Sequence, residues 1–151
     1  MGNIKLFQDN KIRSAWNDEE EQWYFSVVDV VEALTDSVNP TDYLKKIRKR
    51  DKSLATYLGT NCPQVEMLTE SGKKRKILAA NVKSLFRIIQ SIPSPKAEPF
   101  KQWLSQVGYD RMLEIENPEL AQERMKLLYE QKGYPKDWID KRLRGIAIRQ
   151  N

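Results

Sequence analysis

WYFSVVDVVEAL, residues 23–34, joins a short aromatic strand to an apolar helix, and that junction decides the fold class. Gln22, Trp23, Tyr24 and Phe25 have the aromatic bias of a strand. Ser26 is placed to cap the helix that follows, with Asp29 three residues on to complete a box-like arrangement. Val27, Val28, Val30, Val31 and Leu34 make that helix apolar on more than one side, as expected of a buried element. Upstream, residues 4–7 and 11–16 read as short strands around an Asp9-Asn10 turn, and residues 18–21 as an acidic loop.

The downstream pattern is mixed. Asn39-Pro40 has the cap-then-proline form of a helix start. Tyr43, Leu44, Ile47 and Leu54 fall on one side of the helix expected over 40–52, and Lys45, Lys46, Arg48, Lys49 and Lys52 spread across the other. Cys62-Pro63 ends the pattern. Residues 65–68 and 75–79 then form a hairpin pattern around Glu70-Ser71-Gly72-Lys73. Asn81 can cap a helix carrying Val82, Leu85, Phe86, Ile88, Ile89 and Ile92. Residues 91–95 end it and start another, with Phe100, Trp103, Leu104 and Val107 at helical spacing. After Gly108 two further helices follow, one opened by Asn117-Pro118 and ending near Gly133, the next opened by Pro135. The expected class is α+β: a small antiparallel sheet or hairpins packed with several helices, and a helical carboxy-terminal extension.

The chain has 151 residues, one Cys and no His. Without His there is no His-containing triad, no Cys–His pair and no imidazole metal ligand. A lone Cys62 forms no internal disulfide, and no leader or membrane-length apolar run is read, so a cytoplasmic protein with no membrane partner is expected. The formal charge of +5 conceals a segregation. Residues 1–39 hold three basic and eight acidic side chains, whereas residues 40–90 hold twelve basic and four acidic.

Two basic clusters dominate that middle third. One is the 40–52 helix face; the other is Lys73, Lys74, Arg75 and Lys76 at the hairpin tip. Such side chains bind phosphates by charge and hydrogen bonding, with counterion release as the driving force. A solvated helix face is the competing explanation of the first run. Lys83 and Arg87, at i and i+4, add an outward basic pair. The four Trp are expected to pack in the core, with Tyr57 the exposed aromatic beside the patch. Asp29, Glu32 and Asp36 share a helix side, but capping and solvation explain them better than metal ligation. No Gly-rich phosphate loop or nucleophile elbow is present. No catalytic residue, metal site or cofactor is assigned.

The stretches WYFSVVDVVEAL, NPTDYLKKIRKRD (residues 39–51) and LTESGKKRKILAANVKSLFRIIQSIPSPKAEPFKQWL (residues 68–104) resemble, in order and spacing, the amino-terminal domain of the BRO family. The resemblance covers residues 4–113, leaving 114–151 as an extension. It implies a phage or prophage antirepressor-like protein that binds DNA or interferes with a repressor, without catalysis. The family's basic face falls here on Lys45, Lys46, Arg48 and Lys49, with the Lys73 to Lys76 tip beside it. The helical tail resembles a branch that continues past residues like Ile148-Arg149, which implies a longer chain. Three readings follow. One is a DNA-binding regulatory module. The second is a protein-interaction module that antagonises a repressor or other host regulator without DNA, its acidic 18–21 loop and last helices being the candidate surfaces. The third and weakest is a divalent-metal nuclease on Asp29, Glu32 and Asp36. A homodimer is expected on the general ground that DNA readers pair to match two half-sites.

Overall fold

The structure, a computed structural model, describes residues 11–69 and 71–150. Among them four strands form one antiparallel sheet: β1 (Ser14–Asn17), β2 (Gln22–Ser26), β3 (Gln64–Leu68) and β4 (Lys74–Ala80), in the order β1-β2-β4-β3. Among the described residues seven α-helices accompany it: α1 (Val27–Leu34), α2 (Pro40–Arg50), α3 (Lys52–Asn61), α4 (Val82–Ser91), α5 (Glu98–Glu116), α6 (Glu119–Gln131) and α7 (Lys136–Gln150). A single 3₁₀ turn, Pro95–Ala97, leads into α5. This is the expected α+β class. The chain divides into two compact units, one ending at Leu104 and one starting at Ser105, so the division falls within α5.

The strand–helix junction is built as its residues dictate. Ser26 Oγ accepts the Asp29 N–H at 3.3 Å, and Val27, Val30, Val31 and Leu34 are fully buried. The β1 strand is shifted from the expected span and starts at Ser14. It pairs with β2 across the 18–21 turn, where Asn17 Oδ1 accepts the Glu20 N–H at 3.0 Å and Glu21 takes a left-handed φ of 51°. The Asp9-Asn10 turn and the 4–7 strand lie outside the described residues.

Alternation along the strands sorts the sheet into two faces. Phe25, Leu78 and Ala80 lie on one, against α1 to α4, with Leu34, Leu44, Ile47, Leu54, Leu58, Leu85 and Ile88 as the body of the main core. Tyr24, Met67 and Ala79 lie on the other, with Ala15, Val65 and Ile77 around them. The sheet curls, bringing its outer strands β1 and β3 near each other. Arg13, just before β1, ties the seam. Its Nη1 donates to the Leu68 carbonyl at 3.1 Å, and its Nε and Nη2 grip Asp29 at 2.8 and 3.0 Å.

The expected single helix over 40–52 is two helices. Asp51 ends α2 and caps α3, its carboxylate accepting the Leu54 N–H at 3.0 Å. A short carboxylate bonds the first N–H groups of a helix better than it serves an interior position, so the chain turns there. The expected core placement of Trp is also corrected: Trp16, Trp23, Trp103 and Trp138 are each more than a third exposed. Trp16 and Trp23 stack edge-to-face at 5.4 Å across the β1–β2 ladder, beside the 18–21 turn, and both stay exposed although Trp23 shares the sheet face of Phe25.

Arg124 Nε on α6 meets Glu114 Oε1 on α5 at 2.9 Å, and Gly133 turns the chain between α6 and α7 with a φ of 82°. Tyr129, Tyr134 and Trp138 pack together around that turn.

Candidate nucleic-acid interface

The α2 basic surface follows from how α2 is held. Asn39 caps it by accepting the Asp42 N–H at 3.1 Å, and Pro40 supplies a first residue that needs no donor. Leu44 and Ile47 bury one side in the main core. With about 100° between successive residues, Lys45 and Lys49 then point directly away from the core. Arg48 lies on one flank, and Lys46 and Arg50 on the other; all five are exposed. Lys46 pairs with Asp42 one turn back at 3.1 Å. Among the described residues no carboxylate lies within ion-pair distance of Lys45, Arg48, Lys49 or Arg50. Arg48, Lys49 and Arg50 also fill the last turn, where the helix dipole favours cations. Lys52, expected on this face, opens α3 instead.

The second cluster sits on the hairpin tip. Gly72 takes a φ of 82°, and its N–H donates to the Thr69 carbonyl at 2.9 Å. Lys73 is exposed in the turn. Lys74 and Lys76 alternate onto the sheet face of Leu78 and Ala80, the face that bears the helices, while Arg75 falls on the face of Ile77 and Ala79. Lys76 stands opposite Glu66 in the ladder. The tip is separated from the hairpin base by about 20 Å, from six strand steps at about 3.3 Å.

Arg48 lies close enough to the base to act on Cys62. Burial pushes that thiol up, against the weaker opposing effects of a Ser84 hydrogen bond and the Arg48 charge. An elevated thiol with 8% exposure is a packing residue and not a nucleophile. Near by, Tyr57 is engaged and not the open stacking platform expected: its hydroxyl bonds Ser84 Oγ at 3.3 Å and Arg87 lies over its ring at 5.7 Å. Arg87 also donates to Ser91 Oγ, so of the expected Lys83–Arg87 outward pair only Lys83 is exposed.

Of the three acidic residues expected to share a helix side, Asp29 and Glu32 lie on α1, whereas Asp36 falls beyond its end at Leu34, and all three are engaged or solvated. Asp29 holds Arg13, Asp36 meets Lys96 at 2.8 Å, and Glu32 is exposed. Among the described residues no three carboxylates or thiols group as metal ligands. Asp29 and Glu32, with Lys11, Arg13 and Lys96, line an open cavity of about 1050 Å³ between α1 and the hairpin turn, mixed in sign.

The 18–21 turn carries its own electrostatics. Tyr24 donates its hydroxyl to Glu20, and Gln22 Nε2 adds a second bond to the same oxygen at 2.8 Å. The Tyr24 bond holds the Glu20 carboxyl below its ordinary range and pushes the Tyr24 phenol up. The Glu20 contribution is present above the ordinary carboxylate range and is lost as pH falls. The Tyr24 contribution is present below about pH 10 and is lost as pH rises past its elevated value. In an ultraviolet titration Tyr24 should ionise above the ordinary phenol range, and Glu20→Gln should bring it down toward that range. If Tyr24 titrates in the ordinary range in the wild-type chain, the bond does not persist in solution.

Compared with known proteins, residues 11–108 match the model described as the BRO family, N-terminal domain. No curated protein and no solved structure matches the chain. No helix among the described residues is long and apolar enough to cross a membrane.

Proposed function

The chain belongs to the BRO family through its N-terminal domain, and from that premise we propose that it is a regulatory module of an antirepressor-like protein that grips duplex DNA by its phosphates. Membership points in general to a regulatory or nucleic-acid-binding role, not to catalysis. The finer reading assigns residues 4–113 to binding and 114–151 to a helical extension. It places α2, through Lys45, Lys46, Arg48 and Lys49, on one stretch of backbone. The hairpin lysines, Lys73, Lys74 and Lys76, lie on another, with Lys52 and Arg75 at the margins.

One observation carries this reading. Leu44 and Ile47 anchor α2 so that a whole sector of exposed cations faces solvent, and Lys74 and Lys76 project from the sheet face that bears the helix layer. The bland alternative, a solvated helix face, does not account for the second cluster on that side. Both clusters are Lys and Arg, which contact phosphates, so affinity is expected to be carried by charge.

Fluorescence anisotropy with a labelled duplex across a salt series tests the proposal. If Lys45, Arg48, Lys49, Lys74 and Lys76 each neutralise one phosphate, log K should fall against log salt with a slope of about −4.5. Lys45→Glu with Lys49→Glu should abolish binding at moderate salt and flatten the residual slope by about 2. Both side chains point away from the core, so the fold should persist. An absence of salt-sensitive binding to any duplex at low ionic strength would end this reading. The exposed Trp16–Trp23 pair beside the acidic turn favours the second reading, contact with a regulator protein. In that case Trp16→Ala with Trp23→Ala would cancel the regulatory effect without touching DNA affinity.

A further inference from the structure

The unit from Ser105 onward exposes an apolar surface that its own helices leave uncovered. Among its described residues the one buried apolar side chain is Ile139, and the other buried residue is Glu114. The α6 helix buries none of its residues. Helices of this length owe most of their stability to a buried face, and a unit of this size has little to spare. Meanwhile Tyr109, Met112 and Ile115 run along the side of α5 away from Glu114, at 54%, 49% and 65% exposure. Leu127 and Leu128 stand out from α6 at 57% and 48%.

The charges of the unit say what covers this surface. Residues 105–131 carry six acidic and three basic side chains, and α7 carries two acidic and five basic. Among the described residues the ion pairs within the unit converge on Glu114. Among the described residues no carboxylate lies within ion-pair distance of Lys141, Arg142 or Arg144, and no cation within that distance of Glu116, Glu119, Glu123 or Glu130. The unit therefore presents an exposed apolar side on α5 and a separate exposed Leu127–Leu128 pair on α6, with an acidic excess over residues 105–131 and a basic excess on α7. Nucleic acid would meet the acid of α5 and α6, and a uniformly basic partner would meet α7. A surface bearing both signs is complementary to itself, and a twofold axis uses each complementary pair twice.

We propose that the partner is a second copy of this chain. Two copies pair isologously through the helical unit, burying the Tyr109, Met112 and Ile115 side of each α5. Each α7 sets its basic side against the acidic α5–α6 of the other copy. This pairing stands independently of DNA binding; if both hold, it doubles the α2 faces for two half-sites.

Sedimentation equilibrium and light scattering on the full chain provide the test. The wild type should be a dimer, and Met112→Glu with Ile115→Glu should weaken it by roughly a hundredfold or more, while far-ultraviolet circular dichroism stays helical. A charge-swapped pair guards against misfolding by the first variant. Chains carrying Lys141→Glu with Arg144→Glu, and chains carrying Glu116→Lys with Glu123→Lys, should each associate poorly alone. Mixed in equal amounts, they should form the heterodimer. A wild type that stays monomeric up to its solubility limit overturns the proposal. So does a dimer indifferent to Met112→Glu with Ile115→Glu, or swapped chains that show no preference for each other.

Discussion

Asp29→Ala should destabilise the chain by about 3 kcal/mol, the largest loss expected from any single polar side chain in the first unit. Asp29 is 12% exposed and sits in the first turn of α1, where a carboxylate also favours the helix dipole. It accepts from Arg13 Nε at 2.8 Å, from Arg13 Nη2 at 3.0 Å and from the Arg13 backbone N–H at 3.0 Å. A two-pronged guanidinium–carboxylate pair is worth more than a surface ion pair, although the 37% exposure of Arg13 lowers the figure from that of a buried pair. The same guanidinium reaches the Leu68 carbonyl at the end of β3, so the clasp fastens β1, α1 and β3 at one point. Asp29→Asn keeps an acceptor and loses the charge, and should cost about half as much. Urea denaturation measures both. A cost below about 1 kcal/mol for Asp29→Ala would mean that water replaces the clasp without penalty. A further consequence concerns binding. If the hairpin lysines act with α2, loosening the seam should weaken DNA affinity although no phosphate-contacting residue has changed.

Local signals were legible where one residue type does one local job. The caps at Ser26, Asn39 and Asn81 and the Gly72 turn all act within a few residues, and the chain folds there as its sequence reads. Asp51 was hidden because it stands in a run of charges that continues the pattern of α2. Its role as a cap emerges only when its carboxylate competes for the Leu54 N–H. The Trp exposure was hidden for a different reason. Alternation correctly puts Trp23 on the same side as Phe25, but whether that side is covered depends on where α1 to α4 lie. Arg13 and Asp29 are sixteen positions apart, and no periodicity links them. The basic clusters were plain from composition. The division of the hairpin cations between two sheet faces required the strand register.

Arg124→Ala should cost about 2 kcal/mol and act locally, fraying the α5–α6 hairpin before the first unit responds. Glu114 is 4% exposed, and its nearest cation is Arg124 Nε at 2.9 Å from Oε1. Its other oxygen, Oε2, has no hydrogen-bond partner, and Arg111 stands 3.8 Å away. A carboxylate so placed is stabilised mainly by one partner, and truncating that partner leaves a buried charge with a distant guanidinium. The figure lies below the range for fully buried pairs because Arg124 is itself half exposed. Glu114→Leu has the opposite expectation. It removes the desolvated charge and the orphan oxygen together, fills the position with apolar volume, and frees Arg124 to hydrate, so the change should be neutral or stabilising by up to about 1 kcal/mol. Amide exchange across α5 and α6 separates the two variants from wild type: faster in Arg124→Ala, unchanged or slower in Glu114→Leu. Equal losses from both would mean that the pair is net stabilising. In that case Glu114 contributes attraction beyond its burial cost, not only the fixed register that a buried ion pair imposes on two helices.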